Sequence, residues 1–386
     1  MIQAISDNIV FGALKFIKHG QLKLINYDGK KYQFGESSEN LNVELKVNKP
    51  GLTYTIINKG SIGLAEAYMR GDFETNNLSD LIELTAKNIR IVYRFSGLLD
   101  FSYVNSIKRL FKKNTKEKSK ENISKHYDLG NEFFSNWLDK SLTYSSAIYE
   151  NDHDDLETAQ KNKYQKLIDL LHIEDGNKIL EIGCGWGGFA EFLAKKYDVS
   201  VDCITISKNQ YDFTKKRILN SGLNNKVNVK FLDYRDVKDK YDHVVSIEMI
   251  EAVGEEYMDK YFETIKKVLN KDGTAAIQGI AIKNELFDRY RANEDFIQKY
   301  IFPGGFLPSI NFMEKLIMKN DLKLEKINSY SDDYARTLAT WRENFLGVWD
   351  KISPLGFDDY FKRMWEFYLS YCEGGFKSRN INLIQF

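Results

Sequence analysis

The sequence predicts an α/β fold in which a mostly parallel sheet carries helices on both faces, preceded by a small α+β domain. Two observations predict it. From about residue 160 onward, short apolar runs alternate with helical patterns, as successive βαβ units require. One of those runs, KILEIGCGWGG at 178–188, breaks into four glycines and opens at once onto the helical pattern FAEFLAKKY. The chain has 386 residues, and about two domains is the natural expectation for that length.

The first domain is expected over 1–115. QLKLINY and KYQFG flank Asp28-Gly29, a good hairpin turn, and a helical pattern follows over about 63–88. The second domain is expected over 116–386, a seven-stranded sheet with strands at 178–182, 199–205, 227–231, 243–249, 273–281, 322–329 and 380–385. Helices fall at about 187–197, 207–221 and 255–269. An insertion at 283–308 follows the fifth strand, and two aromatic-rich helices near 335–351 and 357–372 separate the last two. No internal repeat is visible.

Composition narrows the partners. Lys plus Arg and Asp plus Glu number 55 each, so no global field draws the chain to nucleic acid. Three cysteines, Cys184, Cys203 and Cys372, lack zinc or disulfide spacing, and no metal is expected. The first twenty residues make a poor signal peptide, and no run reaches the ~18 apolar residues of a membrane span. Between Ser106 and His126 eight Lys/Arg stand against two Glu, behind apolar residues at helical spacing from Phe95 to Phe111. This stretch reads either as a solvated linker helix or as a basic amphipathic surface for anionic lipid headgroups.

The glycine turn carries the chemistry. Gly183, Gly185, Gly187 and Gly188 let the backbone turn sharply beside a ligand at a helix N-terminus. The spacing is G-x-G-x-G rather than the G-x-G-x-x-G of dinucleotide sites, and Glu181 stands two residues before it. A carboxylate there repels pyrophosphate and suits a sulfonium or an ammonium; the turn is read as the S-adenosylmethionine site of a Rossmann-like class I methyltransferase, the alternative being a glycine turn that only packs strand on helix. The next strand ends in CITISKNQ, offering Thr205, Ser207 and Gln210 at the sheet's carboxyl edge, although Ser207 is equally suited to cap the next helix. FLDYRD places Asp233 and Tyr234 where an adenine amino group and ring could be held. SIEMIEAVG brings two acids, Glu248 and Glu251, close together; a function is favoured for Glu251 and left open for Glu248.

The segments HYDLGNEFFSNWLD, LTYSSAIYE, LEIGCGWGGFAEFLAKKY, TISKNQ, DYRD, EMIEAVG, QKYIFPGGFLPS, DDYARTL and YLSYCEGGFKSRNI together resemble the cyclopropane fatty acid and mycolic acid cyclopropane synthases. The resemblance implies methyl transfer from S-adenosylmethionine to a cis double bond in a phospholipid acyl chain. It implies cofactor contacts at Tyr144, Ser145, Glu181, Gly183, Cys184, Gly185, Gly187, Thr205, Ser207, Gln210, Asp233 and Tyr234. It also implies a bicarbonate base in a cage formed by Ser146, Glu251, Gln278, Tyr334 and the backbone of Ile280. Two positions depart from the family's pattern, Ser146 for a cysteine and Gln278 for a histidine, and Gln cannot titrate. Ala252 stands where many relatives have histidine. Cys372 matches a cysteine considered catalytic in the family, yet a cysteine on an aromatic helix is more often core. His126, Asp128 and Asn131 are expected to order the lid segment, and Pro303-Gly304-Gly305 to form a tight turn, either of a substrate-channel loop or a plainly structural one.

The implied product is a cyclopropane ring. Acyl methylation that leaves a methylene or methyl branch stays open, as do N-methylation of a small amine and a lipid-binding protein without catalysis. The resemblance further implies a homodimer and a cytoplasmic enzyme peripheral to the inner face of the membrane.

Overall fold

The computed structural model describes residues 2–37, 40–91, 115–119 and 129–386. Contacts divide the chain into two compact units. One comprises 1–111, 288–301 and 341–381, and the other 112–287, 302–340 and 382–386. The expected division at residue 115/116 follows the chain, whereas the compact units cross it twice.

The first unit opens with helix Ile2–Leu14 and holds a four-stranded sheet. Strands β1 (Gln21–Ile25) and β2 (Lys31–Gly35) form the expected antiparallel hairpin, and β1 also pairs in parallel with β3 (Asn42–Val47). The alternation of β3, exposed then buried at each step, is the period-2 signature of a strand with one face on the core. The expected helix over 63–88 is two helices, Leu52–Met69 and Leu78–Lys87, with the short strand β4 (Phe73–Thr75) between them. Gly71-Asp72 breaks the helical pattern, and Asn77 caps the second helix by accepting from the Asp80 N–H at 3.2 Å.

Helix Asp359–Lys377 packs against Leu78–Lys87. The approach is close because Gly374 has no side chain: a Cβ there would lie 2.7 Å from Ile82 Cβ and 2.8 Å from the Glu83 nitrogen. Residues 288–301 join this unit through Glu66, which accepts from Lys299 Nζ at 2.8 Å and Tyr300 Oη at 2.9 Å.

The second unit is the seven-stranded sheet. Its strands are β5 (Lys178–Ile182), β6 (Ser200–Thr205), β7 (Val227–Phe231), β8 (Tyr241–Ile247), β9 (Leu269–Ile282), β10 (Asn328–Ser329) and β11 (Ile381–Gln385), in the order β10-β11-β9-β8-β5-β6-β7. The pairs β5–β6, β5–β8, β6–β7 and β8–β9 are parallel, and β10–β11 is antiparallel. Six of the seven expected strands agree to within a few residues. The one expected over 322–329 shrinks to two residues: Glu325, Lys326 and Ile327 are exposed in succession, so the alternation that would bury one face is lost.

Ile179 and Leu180 of β5 are fully buried, the first in a core with Val201, Cys203, Val245 and Ala276. Helices Leu156–Asp169 and Gly188–Lys196 cover that core with Leu167, Ile168, Phe189 and Leu193. Each such aliphatic contributes about 1.5–3 kcal/mol by leaving water. Chain order reverses at β5, with β6 on one side and β8 on the other, so a crevice opens at the carboxyl ends of these strands.

Gly374→Ala is expected to destabilise the fold by about 1–3 kcal/mol, because backbone stands in the way of the added methyl. A lowered denaturant midpoint at unchanged slope checks this.

Candidate active site

The crevice holds a cavity lined by Tyr144, Ser145, Glu181, Gly183, Cys184, Gly185, Thr205, Gln210, Asp233, Tyr234 and Glu248. Ten of these eleven are cofactor positions expected from the sequence. The turn beneath it depends on Gly187, whose φ of 82° precedes helix Gly188–Lys196. A Cβ at Gly187 would lie 2.5 Å from Thr214 Cγ2, so both backbone and space demand glycine. Gly187 itself shapes the turn from behind and does not line the cavity.

The polar positions divide by what they already hold. Ser207 is not in the lining; it caps helix Lys208–Asn220, accepting from the Gln210 N–H at 3.4 Å. Thr205 Oγ1 donates to Gln210 Oε1 at 2.9 Å, which fixes both side chains at the rim. Asp233 pairs with Arg235 through Nε at 2.8 Å and Nη2 at 2.7 Å. Burial alone would raise this carboxyl, but the guanidinium outweighs it and holds Asp233 below the usual carboxylate range. Tyr234 is buried, with no hydrogen-bond partner for its hydroxyl among the described residues.

Residues 126 and 128 lie outside the described residues, as does most of the apolar and basic stretch over 95–126. Asn131 Oδ1 accepts from Trp186 Nε1 at 2.8 Å, tying its segment to the glycine turn.

Beneath the cavity lies a cluster that the sequence did not disclose. Lys163, fully buried on helix Leu156–Asp169, donates to Ser145 Oγ at 2.7 Å, and Gln160 Nε2 on the same helix donates to Ser145 O at 2.9 Å. Burial pushes Lys163 down to about 7, against the pull of Glu248 and other acids. Glu181 is buried with Oε2 unpartnered, and burial pushes it up to about 8 against the attraction of Lys163. Lys163 is one of several lysines on a polar helix, and nothing local in the sequence marks it as the buried one.

Five cage positions expected from the resemblance are brought together, but around carboxyls of the chain itself. Glu248 Oε1 accepts from the Ser146 N–H at 2.8 Å and from Gln278 Nε2 at 2.8 Å, while Tyr334 Oη donates to Glu248 Oε2. Gln278 is oriented in turn by Gln385, whose Nε2 donates to Gln278 Oε1 at 2.8 Å. The Ile280 N–H donates to Glu251 Oε1 at 2.5 Å. Ser146 serves through its backbone, since its hydroxyl donates to Ala147 O at 2.9 Å.

Every cage group other than Glu251 therefore has a donor turned on Glu248 or Glu251. A bicarbonate ion does not fit among them: its place is taken by Glu248, and a second anion beside two half-buried carboxyls would be repelled.

Glu248 has φ of 50°, a left-handed conformation that costs a non-glycine residue on the order of 1 kcal/mol. Burial raises its carboxyl, opposed by Tyr334, Gln278, Lys163 and the Ser146 N–H. Glu251 is pushed up to about 8, by burial first and by Glu248 second, and its Oε2 has no partner. The Pro303-Gly304-Gly305 turn docks here, the Phe306 N–H donating to Glu251 O at 2.9 Å. Cys372, on helix Asp359–Lys377 of the other unit, does not line the cavity.

A family model described as mycolic acid cyclopropane synthetase matches residues 114–386. The chain belongs to that family. A second model, for a domain of unknown function, matches residues 13–94. The chain is 35% identical over 347 residues to the cyclopropane-fatty-acyl-phospholipid synthase of Escherichia coli K12, covering 89% of this chain and 86% of that one. It is 33% identical over 355 residues to the tuberculostearic acid methyltransferase UfaA1 of Mycobacterium tuberculosis, covering 88% and 82%. A solved structure of mycolic acid cyclopropane synthase CmaA1 with SAH and CTAB aligns with a TM-score of 0.65 at 30% identity, over 69% of this chain and 96% of that one.

Gly187→Ala is expected to combine backbone strain with the Thr214 clash and to destabilise the protein by about 1–3 kcal/mol. Chemical denaturation followed by tryptophan fluorescence measures it.

Proposed function

We propose that this protein is an S-adenosylmethionine-dependent methyltransferase that acts on cis double bonds of phospholipid acyl chains and closes a cyclopropane ring. The observation that carries the reading is the cavity itself, which runs from the glycine turn and Glu181 to a half-buried carboxyl cluster at Glu248. Similarity to the E. coli synthase over nine-tenths of the chain supports the same reading.

The chemistry suits such a place. An alkene is a weak nucleophile, and its methylation leaves a carbocation that water would trap. The reacting carbon must therefore be kept dry, and a base must stand beside it. Tyr144, packed at 5.2 Å from Phe134 and 5.6 Å from Trp137, gives the cavity an aromatic wall whose faces favour cationic charge. The bound cofactor supplies an electrophilic methyl on a sulfonium; Glu181 supplies the counter-charge, and the glycine turn the close backbone approach.

A second product has a specific observation behind it. UfaA1, nearly as similar, is named as a methyltransferase of tuberculostearic acid. A methylene or methyl branch is the corresponding alternative outcome here. Mass spectrometry and NMR of lipids from a host lacking its own synthase separate the two. A gain of one methylene unit with ring protons is expected, and exocyclic methylene signals would replace the first reading by the second.

The substrate lies in a membrane, and no described helix is long and apolar enough to cross one. Access from the side through the basic stretch at 106–126 fits an anionic lipid surface. Equal binding to neutral and anionic liposomes would remove that part of the reading. A homodimer that sets two sites on one membrane face belongs to the same proposal, and light scattering tests it.

Cofactor affinity should depend on pH. Glu181, raised to about 8, is mostly protonated at pH 7 in the cofactor-free protein, and a sulfonium favours its ionised form. Affinity is therefore expected to rise with pH toward 8, by at most about tenfold per unit, and to level off above it. Lys163, losing its charge near 7, acts in the same direction. Calorimetry in buffers of different ionisation enthalpy should show proton release on binding, much reduced in Glu181→Gln.

A further inference from the structure

Two half-buried carboxyls, Glu248 and Glu251, lie close together after β8, and their surroundings differ. Glu248 borders the cavity, and three donors converge on it: the Ser146 N–H, Gln278 Nε2 and Tyr334 Oη. Glu251 is held only by backbone N–H groups, those of Ile280 and of Glu251 itself; its second oxygen has no partner among the described residues, and it is not in the cavity lining. When two neighbouring acids share one negative charge, the charge goes to the one with more donors and the nearer cation. Lys163 acts on Glu248 and is not among the groups acting on Glu251. Of the two, Glu248 is therefore the one whose surroundings suit a negative charge.

The backbone points the same way. A φ of 50° at a non-glycine residue persists only where the surroundings over-determine it, and such strain gathers at working sites. Here it follows the end of β8, where the carboxylate is held within the cage against the cavity wall.

We infer that the Glu248 carboxylate is the base that takes a proton from the transferred methyl group, so that this chain needs no bound bicarbonate. The inference rests on the methyltransferase reading above. The alkene π pair bonds to the methyl carbon, the C–S pair stays on sulfur, and the second alkene carbon becomes cationic. One proton of the new methyl passes to a Glu248 oxygen, and the C–H pair closes the ring onto the cationic carbon. If a hydride first shifts to that carbon, the same proton loss leaves an exocyclic methylene. Either way the carboxylic acid returns its proton to solvent as product leaves, and Gln278, which cannot titrate, need only hold the carboxylate in place.

Turnover on vesicles of dioleoyl phosphatidylglycerol, in carbon dioxide-free buffer and in millimolar bicarbonate, tests this. The wild type is expected to run equally fast in both. Glu248→Gln should lower kcat by on the order of 100-fold or more while leaving S-adenosylmethionine affinity, which also reports folding, unchanged. Glu248→Gly empties the cage and relieves the left-handed backbone; it should be slow without bicarbonate and recover when bicarbonate is added. A wild type that needs bicarbonate, or a Glu248→Gln enzyme that keeps its rate, overturns the inference. Absence of lipid methylation by the wild type in both buffers would instead sink the function proposed above. Binding of ¹³C-bicarbonate, read by line broadening, decides the anion site independently of turnover. It is expected with Glu248→Gly and not with the wild type, and broadening by the wild type overturns the inference.

Discussion

Three donors turned on one half-buried carboxyl, that of Glu248, organise the sheet end of this protein. Leaving water is expensive for a carboxylate, and the charge is tolerated only where hydrogen bonds and a cation replace the lost hydration. At Glu248 those replacements come from distant parts of the chain: Ser146 before the sheet, Gln278 on β9 and Tyr334 on a late helix. Gln385 on β11 holds Gln278 in turn. A local feature, one glutamate after β8, thereby constrains four segments of the fold.

The same logic separates the two ends of the cavity. At the glycine turn, Glu181 is buried with an unpartnered oxygen, so its charge is suppressed until a cation arrives. At the other end Glu248 is satisfied beforehand and keeps its place without a ligand. Lys163 acts on both acids, and its buried amine is a counterweight to the two carboxyls that border the cavity. One acid awaits a cation and the other is preorganised, a division suited to methyl transfer followed by proton removal.

Close packing sets the frame around this chemistry. Gly187 brings the cofactor turn against Thr214 in the sheet unit, and Gly374 brings a long helix against Leu78–Lys87 in the other. Each is a place where one methyl group would displace backbone or a packed side chain. The first unit is interleaved in sequence because helix Asp359–Lys377 finds its partner nearly three hundred residues upstream.

By itself the sequence determined the parallel sheet, the hairpin at Asp28-Gly29, the glycine turn and ten residues of the cavity wall. Most of these features are local: period-2 and helical alternation, glycines at a strand end, and polar groups just beyond it; Tyr144 and Ser145 came only from the family resemblance. It also led to Ser146, Gln278, Ile280, Tyr334 and Glu251 through family motifs, without what they hold. Only the tertiary structure decided that Ser146 acts through its backbone, that Ser207 is a cap, that Lys163 is the buried lysine of its helix, and that Glu248 fills the cage. The physical reason is that charge on a buried acid depends on which donors and cations surround it. Those neighbours come from segments up to about a hundred residues away on either side, so no spacing in the chain records them.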